Sequence, residues 1–156
     1  MRRKLKHLAE AAAFASALGF FRCLPLDVAS WLGGRIGRAA GPHTRTHRTA
    51  LRNLALCFPD WSEEERQGTA GRMWEHLGRT AAEFAHFRTG RLLARVRQEG
   101  LEHLPRGGQP VIFISGHLGH WELCYPTAFH HGVPVALVYR HANNPYIERM
   151  ICAIRA

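Results

Sequence analysis

Cysteine is too sparse and too scattered to frame this chain. Cys23, Cys57, Cys124 and Cys152 are widely spaced and form no C-x-x-C pair, which excludes a zinc ribbon and a small disulfide scaffold. Free buried thiols in a reducing, cytoplasmic setting are the expectation that remains. Acidic residues are also short: 12 Asp and Glu stand against 21 Lys and Arg, for a net charge of +9 and a pI near 10.4. A chain so charged expects an anionic partner. A long apolar run is missing from the amino-terminal stretch, where the uncharged core from Ala11 to Phe21 is only eleven residues against the roughly 20 that cross a bilayer. The metal signatures H-E-x-x-H and H-x-H do not occur. Nor does a helix-turn-helix, zinc-finger or aromatic RNA-binding signature accompany the basic residues, and no nucleic-acid partner is expected.

What is present is a globular composition in 156 residues, 46% hydrophobic and 21% charged, enough for one core and one domain. Its centre of interest is Pro110 to Glu122, PVIFISGHLGHWE. The apolar run Val111-Ile112-Phe113-Ile114 reads as a buried strand, Ser115-Gly116 as a turn, and the sequence from Leu123 as a helix. On one continuous helix His117 and Glu122, five residues apart, would stand about 140° from each other. They meet only if the segment between them is not yet helical, and Gly116 and Gly119 permit that. A carboxylate bonded to one ring nitrogen orients a histidine whose other nitrogen takes a proton, which is general-base chemistry. No serine or cysteine nucleophile is required if the hydroxyl belongs to the substrate. After a helix that Gly132 ends, Val133–Tyr139 reads as a second buried strand, so the whole predicts a βαβ unit with Arg140 on the same sheet edge as His117.

The rest of the chain reads as support. Arg2, Arg3, Lys4 and Lys6 head an apolar helix over residues 1–26. A signal peptide begins the same way, but no small-x-small cleavage site follows, and Arg22, Pro25 and Asp27 interrupt. The expectation is an anchor on an anionic membrane face, the alternative being a helix packed on the domain's own core. Residues 26–41 predict a second helix whose Gly33, Gly34 and Gly37 permit close packing. His43 to Thr49 is basic and polar, either a phosphate-holding run or a solvated face. Ser62 with Glu65 predicts a capping box, and Met73, Trp74, Leu77, Ala81, Phe84 and Phe87 an apolar stripe on the helix that follows. His76 and His86 read as surface or helix-end residues, Val96–Leu101 as a short strand, and residues 105–108 as a turn. Tyr146, Ile147, Met150, Ile151 and Ile154 recur at helical spacing, and no glycine or proline stop signal ends the pattern. The carboxyl end is therefore expected to be a cut.

Gly100-Leu101-Glu102-His103-Leu104, then Pro110 to Leu123 with His117-x4-Glu122, then Tyr139-Arg140-x-x-Asn143-Asn144-Pro145 resemble the bacterial lipid A late acyltransferases. These belong to the lysophospholipid acyltransferase superfamily, and Asn53-Leu54 with Phe58-Pro59-Asp60 looks similar too. The resemblance implies an α/β fold: amino-terminal helices, then a βαβ-containing mixed sheet of the glycerolipid acyltransferase type, truncated at the carboxyl end. Residues 27–156 would be the amino-terminal part of that one domain. It implies His117 as general base, Glu122 as its partner, and Arg140, Asn143 and Asn144 as substrate-binding residues. The donor would be an acyl carrier protein or acyl-CoA, the acceptor a lipid A precursor, and the setting the cytoplasmic face of the inner membrane, with no metal or nucleotide cofactor. His120 departs from the pattern, which has a small amide there. Two other classes remain in view: a metal-dependent hydrolase using His117, His120 and Glu122, and a catalytically incomplete chain that only binds membrane or another anionic partner.

Overall fold

A computed structural model of the chain describes residues 2–104, 110–116 and 118–155. Six α-helices carry it: α1 (Arg2–Cys23), α2 (Leu26–Ala40), α3 (Arg45–Cys57), α4 (Glu63–Glu83), α5 (Cys124–His130) and α6 (Pro145–Arg155). The chain divides into two compact units, one of residues 15–86 and one of residues 1–14 with 87–156.

In the unit of residues 15–86, α3 and α4 start at side-chain caps. Ser62 caps α4 through a complete capping box: its hydroxyl accepts from the Glu65 N–H at 3.2 Å, and the Glu65 carboxylate accepts from the Ser62 N–H at 2.7 Å. Glu63, Glu64 and Glu65 in the first turn suit the positive end of the helix dipole. Thr44 caps α3 by accepting from the His47 N–H at 3.3 Å.

The seam between α2 and α4 is made of small residues. A Cβ added at Gly33 would stand 2.5 Å from the Gly78 carbonyl oxygen and from the Ala82 Cβ, and one added at Gly37, Gly41 or Gly78 would collide with the facing helix. Gly33 and Gly37 therefore stand one turn apart along α2, with Gly41 one turn further on, just past its end, against Ala82, Gly78 and Trp74 along α4. This differs from the expected stripe: Met73 and Leu77 are 39% and 40% exposed, while Ala70, Thr80 and Ala82 are buried. The reason is steric, since glycines on α2 bring the backbones too close for large side chains to lie between them.

His47 and His86 are interior residues of this unit. The Trp74 Nε1–H donates to His47 Nδ1 at 3.1 Å, and His47 Nε2 lies 3.3 Å from Gln67 Oε1. His86 is 2% exposed, with Nε2 3.0 Å from the Phe21 carbonyl.

In the other unit, Asn144 starts α6. Its Oδ1 accepts from the N–H groups of Tyr146 and Ile147, and its Nδ2 donates to the His7 carbonyl at 2.8 Å and to Glu10 Oε2 at 3.0 Å. Gly132, at φ +75°, ends α5.

The expected α/β fold with a βαβ-containing mixed sheet is overturned, because no strand occurs among the described residues. Val96–Leu101, 110–116 and 133–141 are without strand pairing. A strand exists by hydrogen-bonding a neighbour, and apolar residues that a sheet would bury are in solvent here: Ile112, Ile114 and Val138 are 86%, 91% and 103% exposed. The shared sheet edge that was to bring Arg140 beside His117 goes with it.

Candidate functional site

Gly119 takes a left-handed φ of +57°, and Trp121–Leu123 then forms a single 3₁₀ turn before α5. Glu122 therefore lies in that 3₁₀ turn, just ahead of α5. His117 lies outside the described residues, so the pair itself is not among the geometry described.

What Glu122 does contact is Arg155. Arg155 Nε and Nη2 donate to the two carboxylate oxygens at 2.9 and 2.6 Å, and Trp121 Nε1 donates to Oε1 at 3.2 Å. The two charged side chains are 13% and 20% exposed. Two parallel N–H···O bonds fix the plane of the carboxylate as well as its position. The hydrogen bond to the Glu122 carboxylate raises the pKa of the Arg155 guanidinium. Arg155 also lies over the Tyr139 ring, 5.1 Å from its centroid, and its carbonyl accepts from the Tyr125 hydroxyl at 3.1 Å. Burial pushes that hydroxyl up to about 12.

Beside this ion pair is a cleft of about 520 Å³ lined by Phe87, Tyr125, Phe129, Val135, Leu137 and Ile154, with Arg88 and Arg155 bordering it. Arg88 is held there by donating to the Ala153 carbonyl at 3.1 Å.

The block from Tyr139 to Asn144 is tied down at Glu148. That carboxylate accepts from the Tyr139 hydroxyl at 2.6 Å, from the Ala142 N–H at 2.7 Å, and lies 3.0 Å from His141 Nδ1. The Tyr139 bond foremost, then the Ala142 bond, hold the Glu148 pKa down at about 2. Arg140 and Asn143 are exposed, and Arg140 Nη2 donates to Asn143 Oδ1 at 3.4 Å. Asn144 is buried and engaged in capping. Sequence reasoning missed Arg155, Glu148 and the capping of Asn144. Only the last had a local signal, an asparagine directly before a helix-starting proline. Among the described residues no group of three or more His, Cys, Asp or Glu is placed to hold a metal ion.

The family described as bacterial lipid A biosynthesis acyltransferase matches residues 1–156, and the chain belongs to that family. It is 33% identical over 137 residues to the lipid A biosynthesis palmitoleoyltransferase of Escherichia coli K12, covering 80% of this chain and 43% of that protein. It is 29% identical over 130 residues to the lipid A biosynthesis myristoyltransferase of the same organism, covering 78% and 40%. A lipid A biosynthesis acyltransferase of Haemophilus influenzae is 26% identical over 134 residues, covering 80% and 42%. The chain thus spans about two fifths of the length of these relatives. No solved structure matches significantly.

Proposed function

We propose that this chain is part of a transferase that moves a fatty acyl group from a carrier thioester, on an acyl carrier protein or coenzyme A, to a hydroxyl of a lipid A precursor. Residues 1–26 serve as a membrane-associating helix at the cytoplasmic face of the inner membrane, and residues 27–156 as the amino-terminal part of one acyltransferase domain. Among the described residues no helix is long and apolar enough to cross a membrane.

In this reading His117 takes the proton of the acceptor hydroxyl as its oxygen attacks the thioester carbonyl. The tetrahedral intermediate collapses with cleavage of the C–S bond, and the proton passes to the departing thiolate. Glu122 orients His117. Arg140, or backbone N–H groups of the turn, faces the oxyanion, and Asn143 and Asn144 belong to the block beside it. The observation that supports this best is Arg155. It holds Glu122 with two nitrogens and also lines the apolar cleft, so the carboxylate of the proposed base pair and that cleft share one residue.

The test is transfer of a labelled acyl group from acyl carrier protein to a lipid A precursor in detergent, by this chain and by its His117→Ala variant. Transfer by the first, unaffected by chelators, and none by the second is the expected result. Transfer that survives His117→Ala would overturn the mechanism.

A further inference from the structure

Helix α2 is built inside out. The residues it turns inward, Leu26, Ala29, Gly33 and Gly34, are buried and mostly small, while its large apolar side chains face away: Trp31, Ile36 and Val28 are 57%, 50% and 44% exposed. At 100° per residue Trp31, Arg35, Val28, Leu32 and Ile36 fall in that order on one arc of about 140°, opposite the seam with α4, with Val28 near its middle and Arg35 between Val28 and Trp31. Water is a poor environment for such an arc, and tryptophan with arginine on one helix face is the pattern of helices that lie in a bilayer interface.

We infer that the outward arc of α2, Trp31 included, docks on a bilayer rich in anionic phospholipid, as a contact separate from the basic head of α1. Three observations favour a lipid surface over a protein one. No acidic residue follows Asp27 on α2. The one charged residue on the arc is Arg35, which is basic and exposed. The exposed side of α3 carries Arg45, Arg48 and Arg52 about one turn apart, and no ion pair involving them is found among the described residues. Arginine stems can lie along the acyl boundary while their guanidinium groups reach lipid phosphates. The inference deepens the membrane setting proposed above, and it requires no turnover, so vesicle binding and acyl transfer can fail separately.

The experiment mixes the whole chain with vesicles of phosphatidylglycerol and phosphatidylethanolamine, with or without brominated acyl chains, and with phosphatidylcholine vesicles as the uncharged comparison. Binding to the anionic vesicles is expected, with tryptophan emission quenched by the bromines. Quenching should vanish in Trp31→Phe and persist in Trp61→Phe. The double variant Trp31→Ser with Ile36→Ser, checked for helix content by circular dichroism, should bind roughly tenfold more weakly or worse, from the apolar area it no longer buries. Trp31→Phe is mild enough to keep the quenching test decisive if the double variant misfolds. The inference is overturned by absence of vesicle binding, by quenching that Trp31→Phe leaves unchanged, or by a chain that self-associates in solution and loses only that association in the double variant.

Discussion

Arg155 grips Glu122 through two nitrogens with little water around either side chain, so cutting one partner away strands the other. Arg155→Ala is expected to cost about 2 kcal/mol in urea unfolding, somewhat less than a fully buried pair. Arg155→Lys should recover only part of that, since an ammonium cannot make the paired contact. Equal stability of Arg155→Ala and the parent would mean that the pair contributes nothing. Glu148 gives a second prediction, in pH. Its folded pKa of about 2 lies below the ordinary 4.5. A depressed carboxylate stabilises most above its unfolded value, so the tie on Tyr139 and Ala142 is complete above pH 4.5 and is lost as the pH falls towards 2. Tyr139→Phe removes the largest cause of the shift, and the side-chain carboxyl resonance of Glu148 should then titrate at higher pH than in the parent; an unmoved midpoint would show that Tyr139 is not the cause. The Ser62 cap was legible because cap and partner are three residues apart. Arg155 was not, because its partner Glu122 stands 33 residues earlier, and Glu148 was not, because its partners lie six to nine residues earlier in an irregular segment that no periodicity marks.

Helix pairing follows from the seam between α2 and α4, where backbone stands against backbone. A methyl group at Gly78 meets the Gly33 carbonyl and the Gly37 Cα, both backbone atoms of α2, and neither can swing aside as a side chain would. Gly78→Ala is therefore expected to destabilise by about 3 kcal/mol or more, despite the better helix propensity of alanine. Gly19, inside α1 with nothing within 4 Å of an added Cβ, provides the contrast: Gly19→Ala should stabilise by roughly 0.5–1 kcal/mol. Thermal unfolding of the two variants checks both signs, and a stabilised Gly78→Ala would contradict the packing described. The glycines of α2 announced close packing in the sequence, but their partner did not, because α4 also carries an apolar stripe that reads as the buried side. Periodicity reports which residues share a face. It does not report whether that face meets a side chain, a backbone or solvent, and Met73 and Leu77 fall on the exposed side of that uncertainty.

Over the whole chain the decisive contrast is between helices, whose hydrogen bonds are local, and the segments read as strands, whose bonds would have to come from other segments. Val111–Ile114 and Val133–Tyr139 have the composition of buried strands, and composition was all the sequence could offer; a strand also needs an edge to pair with, and among the described residues neither has one. This difference is measurable without any knowledge of activity. Amide hydrogen exchange depends on how often each hydrogen bond opens, so peptides from α2 and α4 should exchange slowly, through opening of the glycine seam. Peptides from residues 110–116 and 133–141 should exchange at close to the rate of an unstructured chain, within seconds at neutral pH. Protection of both segments comparable to that of α4 would mean that their amides are paired in solution, and would overturn the all-helical description. Adding anionic vesicles extends the same experiment. Lipid contact along the outward arc of α2 leaves its helical hydrogen bonds in place and adds a cost to opening them, so protection should rise at residues 26–40 and stay unchanged at 133–141.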